Sequence, residues 1–143
     1  KKCLGLAARA AANGDVPIGC IITDADGKIV ARAFNSREKD ADPTAHAEVL
    51  ALRKAGRRLK LKNLSGCTLY VTLEPCPMCA GAILNARPES VVFGASDPVF
   101  GACGGGMNLF EEAFGVRIRL YGGVLAAECA GLLQEFFSGL RKK

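Results

Sequence analysis

The sequence predicts a three-layer α/β/α domain in which helices flank a central mixed sheet of about five strands. Segments typical of strands alternate with helical segments along most of the chain. One strand segment, residues 67–73, is almost continuously apolar, as is common at the buried centre of a sheet. Apolar residues make up 50% of the 143 residues and no charged or low-complexity block dominates, so we expect a single packed domain over residues 1–143.

The first half of the chain is predicted to form a helix, a β-hairpin and a second helix. Asn13-Gly14 is a natural helix C-terminus, and the sequence DADG between two strand-like segments has turn chemistry. Asp42 and Pro43 match the preferences of a helix N-cap and of a first helical position. The predicted elements are a helix over 2–12, strands over 16–23 and 28–35, and a helix from Asp42 to about Lys60.

The second half of the chain is predicted to alternate three strands with two helices. Pro75 favours a helix start directly after the central strand. A glycine-rich stretch later in the chain is long enough to be a functional loop. The predicted elements are a strand over 67–73, a helix over 76–87, a strand over 90–95, the glycine-rich loop over 97–108, a strand over 116–121 and a closing helix over 124–142.

The charge of the chain permits an acidic partner without requiring one. The formal net charge is +5, and a large share of it lies in the segments 53–62 and 141–143. Such runs can bind RNA. Basic residues at helix C-termini also complement the helix dipole and keep a surface soluble, so charge alone leaves both interpretations open.

Neither a membrane span nor a disulfide scaffold is indicated. The apolar runs are far shorter than the roughly 18 residues that a membrane helix requires. Arg9 interrupts the apolar part of the N-terminal segment, which favours an amphipathic helix over an export signal. Seven cysteines are an odd number for a disulfide framework, so we expect a reduced, cytoplasmic protein.

The motif PCPMC, at positions 75–79, is a candidate metal or redox site. A C-x-x-C pair alone fits a redox dithiol or half of a structural zinc site. A closed zinc site needs four protein ligands, and the chain has a single histidine, His46. Recruitment of one of the scattered cysteines stays an alternative. Three ligands, His46, Cys76 and Cys79, would leave one zinc position open for water, as in catalytic sites.

Glu48 follows His46 by two residues in the segment PTAHAEVL. On an ideal helix this spacing turns the carboxylate about 200° away from the imidazole, so Glu48 need not bind the same metal. A carboxylate beside a zinc-bound water can carry its proton to a leaving group. The alternative is a solvated glutamate on a helix surface.

The combination of H-x-E with P-C-x-x-C resembles the signature of zinc-dependent nucleobase and nucleoside deaminases. The segments VPIGCIITD, DPTAHAEVLALR, TLYVTLEPCPMCAGAI, VVFGASDP and ECAGLLQEFF resemble bacterial tRNA-specific adenosine deaminases, in order from about Leu4 to Arg141. The resemblance implies a cytidine-deaminase-like fold, a homodimer without a nucleotide cofactor, and one Zn²⁺ per chain held by His46, Cys76 and Cys79.

The resemblance also implies the reaction. Zinc-bound hydroxide would attack C6 of adenosine at the wobble position of a tRNA anticodon. Glu48 would protonate N1 and then the departing amine, so that inosine and ammonia form. Unpaired anticodon bases can enter a pocket singly, without disruption of a duplex.

Seven further residues would bind the tRNA if the resemblance holds. Asn35 would hydrogen-bond the base, Ile18 would form an apolar wall of the pocket, and Asp97 would contact the sugar region. The others are Phe136 and Phe137, for stacking on RNA, and Arg141 and Lys142, for phosphate contacts. Core packing is the alternative for Ile18 and for at least one of the phenylalanines.

Two differences from the family lie in the glycine-rich loop. Val99, followed by Phe100, stands where the family often has lysine, and Gly105 replaces a serine. These differences leave the chemistry unaffected but bear on the substrate. Two alternatives therefore stay open: a deaminase of free guanine or cytosine, and a zinc-containing RNA-binding subunit without activity. The loop DPVFGACGGG is predicted to decide the substrate.

Overall fold

A mixed five-stranded sheet organises the fold, as predicted. The computed structural model describes residues 1–111 and 115–141. The strands are β1 (Gly19–Thr23), β2 (Ile29–Phe34), β3 (Thr68–Leu73), β4 (Ser90–Ala95) and β5 (Arg119–Tyr121). Their order is β2-β1-β3-β4-β5. β1 is antiparallel to β2 and to β3, whereas β4 is parallel to β3 and to β5.

Helices cover both faces of the sheet. They are α1 (Lys2–Ala12), α2 (Ala47–Leu59), α3 (Pro77–Ala86) and α4 (Ala126–Arg141), with a short 3₁₀ helix at Leu109–Glu111. α1 and α4 contact each other and β3, whereas α2 contacts β1 and β2 and packs against α3. The predicted three-layer arrangement is confirmed. None of the helices in the described part of the chain is long and apolar enough to cross a membrane.

The core lies around β3, whose apolar sequence predicted a central position. Leu69 of β3, Ile22 of β1 and Val91 of β4 are fully buried. On the α2 side, small residues such as Ala51 and Ala55 are also fully buried, which lets the helix lie close to the sheet.

The start of α2 differs from the prediction. The helix begins at Ala47, with His46 as its N-cap, and not at Asp42. The Asp42 carboxylate instead accepts hydrogen bonds from the backbone N–H and the hydroxyl of Thr44, both at 2.8 Å, which closes a local turn. The carbonyl of Ala45 accepts a hydrogen bond from the segment after β2. This pairing and the turn at Asp42 hold the chain outside the helix as far as His46, so the helix starts four residues later than the first-turn preference of proline predicts.

α3 also begins later than predicted, at Pro77, with Cys76 as its N-cap. The prediction placed Pro75 at the helix start and the helix over 76–87. Both prolines suit a first helical position, but Pro75 is buried and its carbonyl accepts a hydrogen bond from Ala102. That long-range contact fixes Pro75 outside the helix.

β1 and β5 differ most from their predicted lengths, and each is three residues shorter. β1 starts at Gly19 because Pro17 has no N–H and Ile18 closes a tight turn onto the carbonyl of Val16. β5 contains three residues and, within the described part of the chain, pairs only with β4. The hairpin, the helix over 2–12 and the irregular glycine-rich loop are confirmed. The closing helix starts at Ala126, and its predicted last residue lies outside the described residues.

The strand directions bring several candidate residues to one edge of the sheet. Since β1 is antiparallel to both of its neighbours, β2, β3 and β4 all run the same way and end at the same edge, where β1 begins. Asn35 follows β2, Cys76 comes shortly after β3, Asp97 comes shortly after β4, and Ile18 precedes β1. This edge carries the candidate site.

Candidate metal centre and substrate cleft

Two helix N-termini meet at this edge of the sheet. His46 is the N-cap of α2, Cys76 is the N-cap of α3, and Cys79 lies in the first turn of α3. Because α2 packs against α3, the three side chains converge. His46 Nδ1 lies 3.7 Å from Cys76 Sγ and 3.4 Å from Cys79 Sγ.

These separations fit a tetrahedral zinc site. Zinc bonds of about 2.0 Å to nitrogen and about 2.3 Å to sulfur place neighbouring ligand atoms roughly 3.5 to 3.8 Å apart. In this structure the ligand atoms of His46, Cys76 and Cys79 all lie within 4.8 Å of one another. The free N–H groups at two helix N-termini favour thiolates. The residues present therefore fit one zinc ion per chain, with three protein ligands and one open position.

The two thiols of the cluster differ in acidity. The hydrogen bond with Cys79 lowers the pKa of Cys76 to about 4. The same contact raises the pKa of Cys79 well above its ordinary value, because Cys79 keeps the shared proton. The hydrogen bond with Cys76 also raises the pKa of His46. One thiolate is thus already present at neutral pH, and zinc binding would release the remaining thiol proton.

Glu48 is a buried carboxylate beside this cluster. It is only 3% exposed, and among the residues that the structure describes its Oε1 has no hydrogen-bond partner. Burial raises the pKa of Glu48 to about 7. The alternative of a solvated surface glutamate is therefore wrong. The predicted helical angle between His46 and Glu48 does not apply either, because His46 precedes the helix.

Asn35 supports the end of α2 that carries these groups. Its Oδ1 accepts a hydrogen bond from the N–H of Ala47, at 3.1 Å. Its own backbone N–H donates to the carbonyl of Ile18, at 3.0 Å. Asn35 thus satisfies one of the free N–H groups of the first turn and holds His46 and Glu48 in place. The predicted hydrogen bond of Asn35 to a base stays a prediction.

A cavity of about 620 Å³ opens beside His46, a size in the range of small-molecule sites. Ile18, Asn35, Phe136 and Phe137 are among its lining residues. Ile18 also belongs to the hydrophobic core. The two phenylalanine rings pack edge to face at 5.4 Å, and Phe137 is 43% exposed. The fold therefore brings four predicted substrate-binding residues to one candidate zinc ligand.

Asp97 and Arg141, two further predicted residues, are not among the residues that line the cavity. Asp97 Oδ1 accepts hydrogen bonds from the N–H groups of Val99 and Phe100, both at 3.0 Å, and so shapes the glycine-rich loop. Arg141 is exposed at the end of α4, where its Nε donates to the carbonyl of Phe137. Lys142 lies outside the described residues.

Glu74 is a buried acidic residue that the sequence analysis did not single out. Its Oε1 accepts hydrogen bonds from the Ser96 hydroxyl and the Asp97 N–H, both at 3.0 Å. Its Oε2 accepts from the N–H groups of Cys103 and Gly105, at 2.9 and 2.8 Å. Burial acts to raise the pKa of Glu74, but these hydrogen bonds outweigh it and lower the pKa. The sequence signal that could have identified Glu74 is an acidic residue directly after an apolar strand.

Asp15 is a second buried acidic residue that the sequence analysis did not identify. It is 1% exposed and borders the cavity. Its carboxylate accepts hydrogen bonds from the N–H groups of Glu38 and Lys39, at 2.7 and 3.2 Å. Asp15 therefore fixes the loop between β2 and α2 that leads to His46.

Known proteins are similar to this chain in sequence and in fold. Residues 1–95 match the family model of the cytidine and deoxycytidylate deaminase zinc-binding region. The tRNA-specific adenosine deaminase of Bacillus subtilis is 49% identical over 144 residues, an alignment that covers 100% of this chain and 89% of that protein. A solved structure from studies of A-to-I editing by tRNA deaminases at the wobble position of transfer RNA has a TM-score of 0.88 and 39% identity, and the match covers 92% of this chain and 95% of that chain.

A similar segment also occurs within longer proteins. The tRNA(Ile)-lysidine synthase of Deinococcus radiodurans is 48% identical over 140 residues, which is 98% of this chain. The chain spans only 24% of the length of that relative.

The residues that match the family model, 1–95, include all three candidate zinc ligands. The match to the Bacillus subtilis protein extends over the whole chain. The chain belongs to the zinc-binding cytidine and deoxycytidylate deaminase family and, within it, to the tRNA-specific adenosine deaminases.

Proposed function

We propose that this protein hydrolyses adenosine to inosine in tRNA, at the wobble position of the anticodon. One observation carries the proposal: a His/Cys/Cys cluster with zinc geometry, whose His46 borders a cavity, lies beside the buried Glu48, whose Oε1 has no hydrogen-bond partner among the described residues. Membership of the tRNA-specific adenosine deaminases supports adenosine in tRNA as the substrate.

His46, Cys76 and Cys79 would hold the zinc ion. When bound, zinc acts as a Lewis acid and lowers the pKa of water toward neutrality. Glu48 would take one proton from the attacking water and deliver it to N1 of the adenine. It would then take the proton of the new hydroxyl group at C6 and deliver it to the departing amine. Its raised pKa of about 7 suits both the uptake and the release of a proton at neutral pH. The overall reaction converts adenosine and water to inosine and ammonia.

The cavity would receive a single unpaired base. Asn35 would hold the base by hydrogen bonding, while Ile18, Phe136 and Phe137 would supply apolar walls and stacking surfaces. Asp97 would contact the sugar region. Arg141 and Lys142 would bind phosphates near the anticodon arm.

The proposal also includes a homodimer, as the family resemblance implies, and a location in the cytoplasm, as the odd number of cysteines indicates. A dimer of this 15.0 kDa chain would elute near 30 kDa in size-exclusion chromatography with light scattering. A monomer at micromolar concentration would contradict this part of the proposal.

Inosine detection tests the function directly. Purified, zinc-loaded protein is incubated with bulk tRNA and with an anticodon stem-loop that carries adenosine at the wobble position. Matched stem-loops with guanosine there serve as controls. We expect inosine at the wobble position and one ammonia released per inosine.

Parallel reactions with free guanine and free cytosine test the alternative substrates. Deamination of a free base without any inosine in RNA would contradict the proposed substrate. Zinc-loaded protein that binds tRNA but deaminates none of these substrates would instead support a subunit without activity.

A further inference from the structure

The glycine-rich loop is tied to the metal centre through Glu74. This residue is 3% exposed and stands between β3 and Pro75, two positions before the candidate ligand Cys76. Each of its carboxylate oxygens accepts two hydrogen bonds. The four donors are the Ser96 hydroxyl and the N–H groups of Asp97, Cys103 and Gly105. A backbone hydrogen bond of 2.8 Å from Ala102 to the carbonyl of Pro75 adds a fifth connection.

The loop itself, residues 96–105, is irregular. Its internal backbone hydrogen bonds close turns, for example from Gly101 to the carbonyl of Asp97 at 2.9 Å. The Glu74 carboxylate connects both sides of the loop, at Asp97 and at Gly105, to a buried position beside the zinc cluster. Loss of these hydrogen bonds would leave the turns without that anchor.

Two glycines of the loop, Gly101 and Gly105, are required by this close approach. A Cβ atom at Gly105 would collide with the carbonyl oxygen of Asp97 and lie 2.6 Å from Glu74 Oε1. A Cβ atom at Gly101 would collide with the carboxylate carbon of Glu74. A side chain at position 105 therefore does not fit the way this chain packs its loop on Glu74.

The anchored loop presents two apolar side chains to the surface. Val99 is 71% exposed and Phe100 is 68% exposed, while the Asp97 carboxylate holds both of their N–H groups. An aromatic ring in a fixed position can stack on an unpaired base. Prior ordering of the loop lowers the entropy that binding must overcome.

We propose that Glu74 is a positioning residue that orders the loop over residues 96–105 beside the zinc cluster and thereby sets affinity for RNA, with little effect on the chemical step. This inference rests on the proposed function, because it takes the loop to contact RNA. Glu74 touches neither the substrate nor the metal and acts through the loop.

Hydrogen exchange tests the ordering without any substrate. Glu74→Gln keeps the size of the side chain but turns an NH₂ group toward N–H donors. We expect the amides of Cys103 and Gly105 to exchange at least about tenfold faster than in the wild type, while bound zinc stays near one per chain. Unchanged exchange of these amides would overturn the inference.

Steady-state kinetics on the anticodon stem-loop test the consequence. We expect Glu74→Gln to raise KM at least about tenfold and to change kcat by less than about twofold, the pattern of lost binding shared by ground and transition states. A fall in kcat with unchanged KM would overturn the inference. If the proposed function is wrong, the wild type itself will show no deamination of RNA, so the two failures are distinguishable.

Gly105→Ala provides a second variant that leaves Glu74 intact. We expect it to reproduce the faster exchange and the raised KM, and we expect the double variant with Glu74→Gln to be little worse than either single variant. Gly131→Ala is the matched control, since a Cβ atom there meets nothing within 4 Å. Additive effects of Gly105→Ala and Glu74→Gln on KM would contradict a shared role.

Discussion

Glu48 and Glu74 are buried carboxylates that each lie two residues from a candidate zinc ligand in the sequence, yet their surroundings give them opposite acidity. Glu48 leaves one oxygen unpaired within the described structure, and burial raises its pKa to about 7. Burial also acts on Glu74, but four hydrogen-bond donors lower its pKa. A carboxylate that titrates near neutrality can transfer protons. A carboxylate that stays ionised instead holds its hydrogen-bond donors in place.

Removal of the Glu48 carboxylate should abolish turnover without loss of the metal. Glu48→Gln keeps the shape of the side chain but cannot carry the proton, so we expect the rate of inosine formation to fall by about 10² to 10⁴. Single-turnover assays on the anticodon stem-loop measure the rate, and elemental analysis measures zinc. Activity close to that of the wild type would rule out the proton-transfer role.

Burial of Glu48 should also make the stability of the zinc-free protein depend on pH. Its pKa is about 7 in the folded chain against an ordinary value of 4.5, so the folded state binds more protons between these values. The free energy of unfolding should therefore fall as pH rises from 4.5 to 7. Urea denaturation of zinc-free wild type and Glu48→Gln measures this, and the variant should lack this part of the decrease. The same pH dependence of the free energy of unfolding in both proteins would contradict this expectation.

At the scale of elements, α4 packs closely against β4. A Cβ atom at Gly94 would collide with Cys129 Sγ of α4 and lie 2.8 Å from the carbonyl oxygen of Thr72. α4 also brings Phe136 and Phe137 to the cavity beside the candidate metal site. The packing of α4 on β4 therefore also sets the position of two residues that line the cavity.

Gly94→Ala should destabilise the protein by displacing α4. We expect the free energy of unfolding to fall by about 1 to 3 kcal/mol, the usual cost of overpacking. Urea denaturation measures the loss. The control is Gly131→Ala on the open side of the same helix, which should leave stability unchanged or slightly higher. Equal midpoints for both variants would show that α4 adapts without strain.

The element boundaries show where local sequence signals succeed and fail. The C-terminus of α1 at Asn13-Gly14 was predictable, because a glycine with a positive φ of 81° closes the helix locally. The start of α2 was not, because the turn at Asp42 and the backbone hydrogen bond from Ser36 to Ala45 keep the preceding residues out of the helix. Propensity at Asp42 and Pro43 is too weak to overcome that contact.

At the scale of the whole molecule, the cluster joins α2 to α3 across the sheet edge. A ligand that binds only the folded chain stabilises it in proportion to the logarithm of its concentration over Kd. Zinc held by His46, Cys76 and Cys79 should therefore act as a clamp between two helices that are separate in sequence.

Removal of zinc should lower thermal stability as well as activity. At free zinc about 1,000 times its Kd, the bound ion contributes about 4 kcal/mol to the free energy of unfolding. Calorimetry before and after chelation should show a lower Tm, and added zinc should restore it. In Cys76→Ser, which lacks one candidate zinc ligand, the chelator should lower Tm much less than in the wild type. A chelated wild type with an unchanged Tm and no bound zinc would contradict the clamp.

The sequence by itself determined the order of elements, the central strand and the candidate zinc ligands with Glu48. These features depend on local patterns: apolar periodicity, turn residues and the spacing of H-x-E and C-x-x-C. The resemblance of several segments to one family added the candidate substrate residues and the reaction.

Only the tertiary structure decided how these pieces meet. Asn35 supports the N-terminus of α2, Glu74 anchors a loop more than twenty residues away, and α4 brings two phenylalanines to His46. Such contacts join segments that no local pattern relates, because they arise from the direction and order of strands. Burial, which sets the pKa of Glu48, likewise exists only once the sheet and helices have packed.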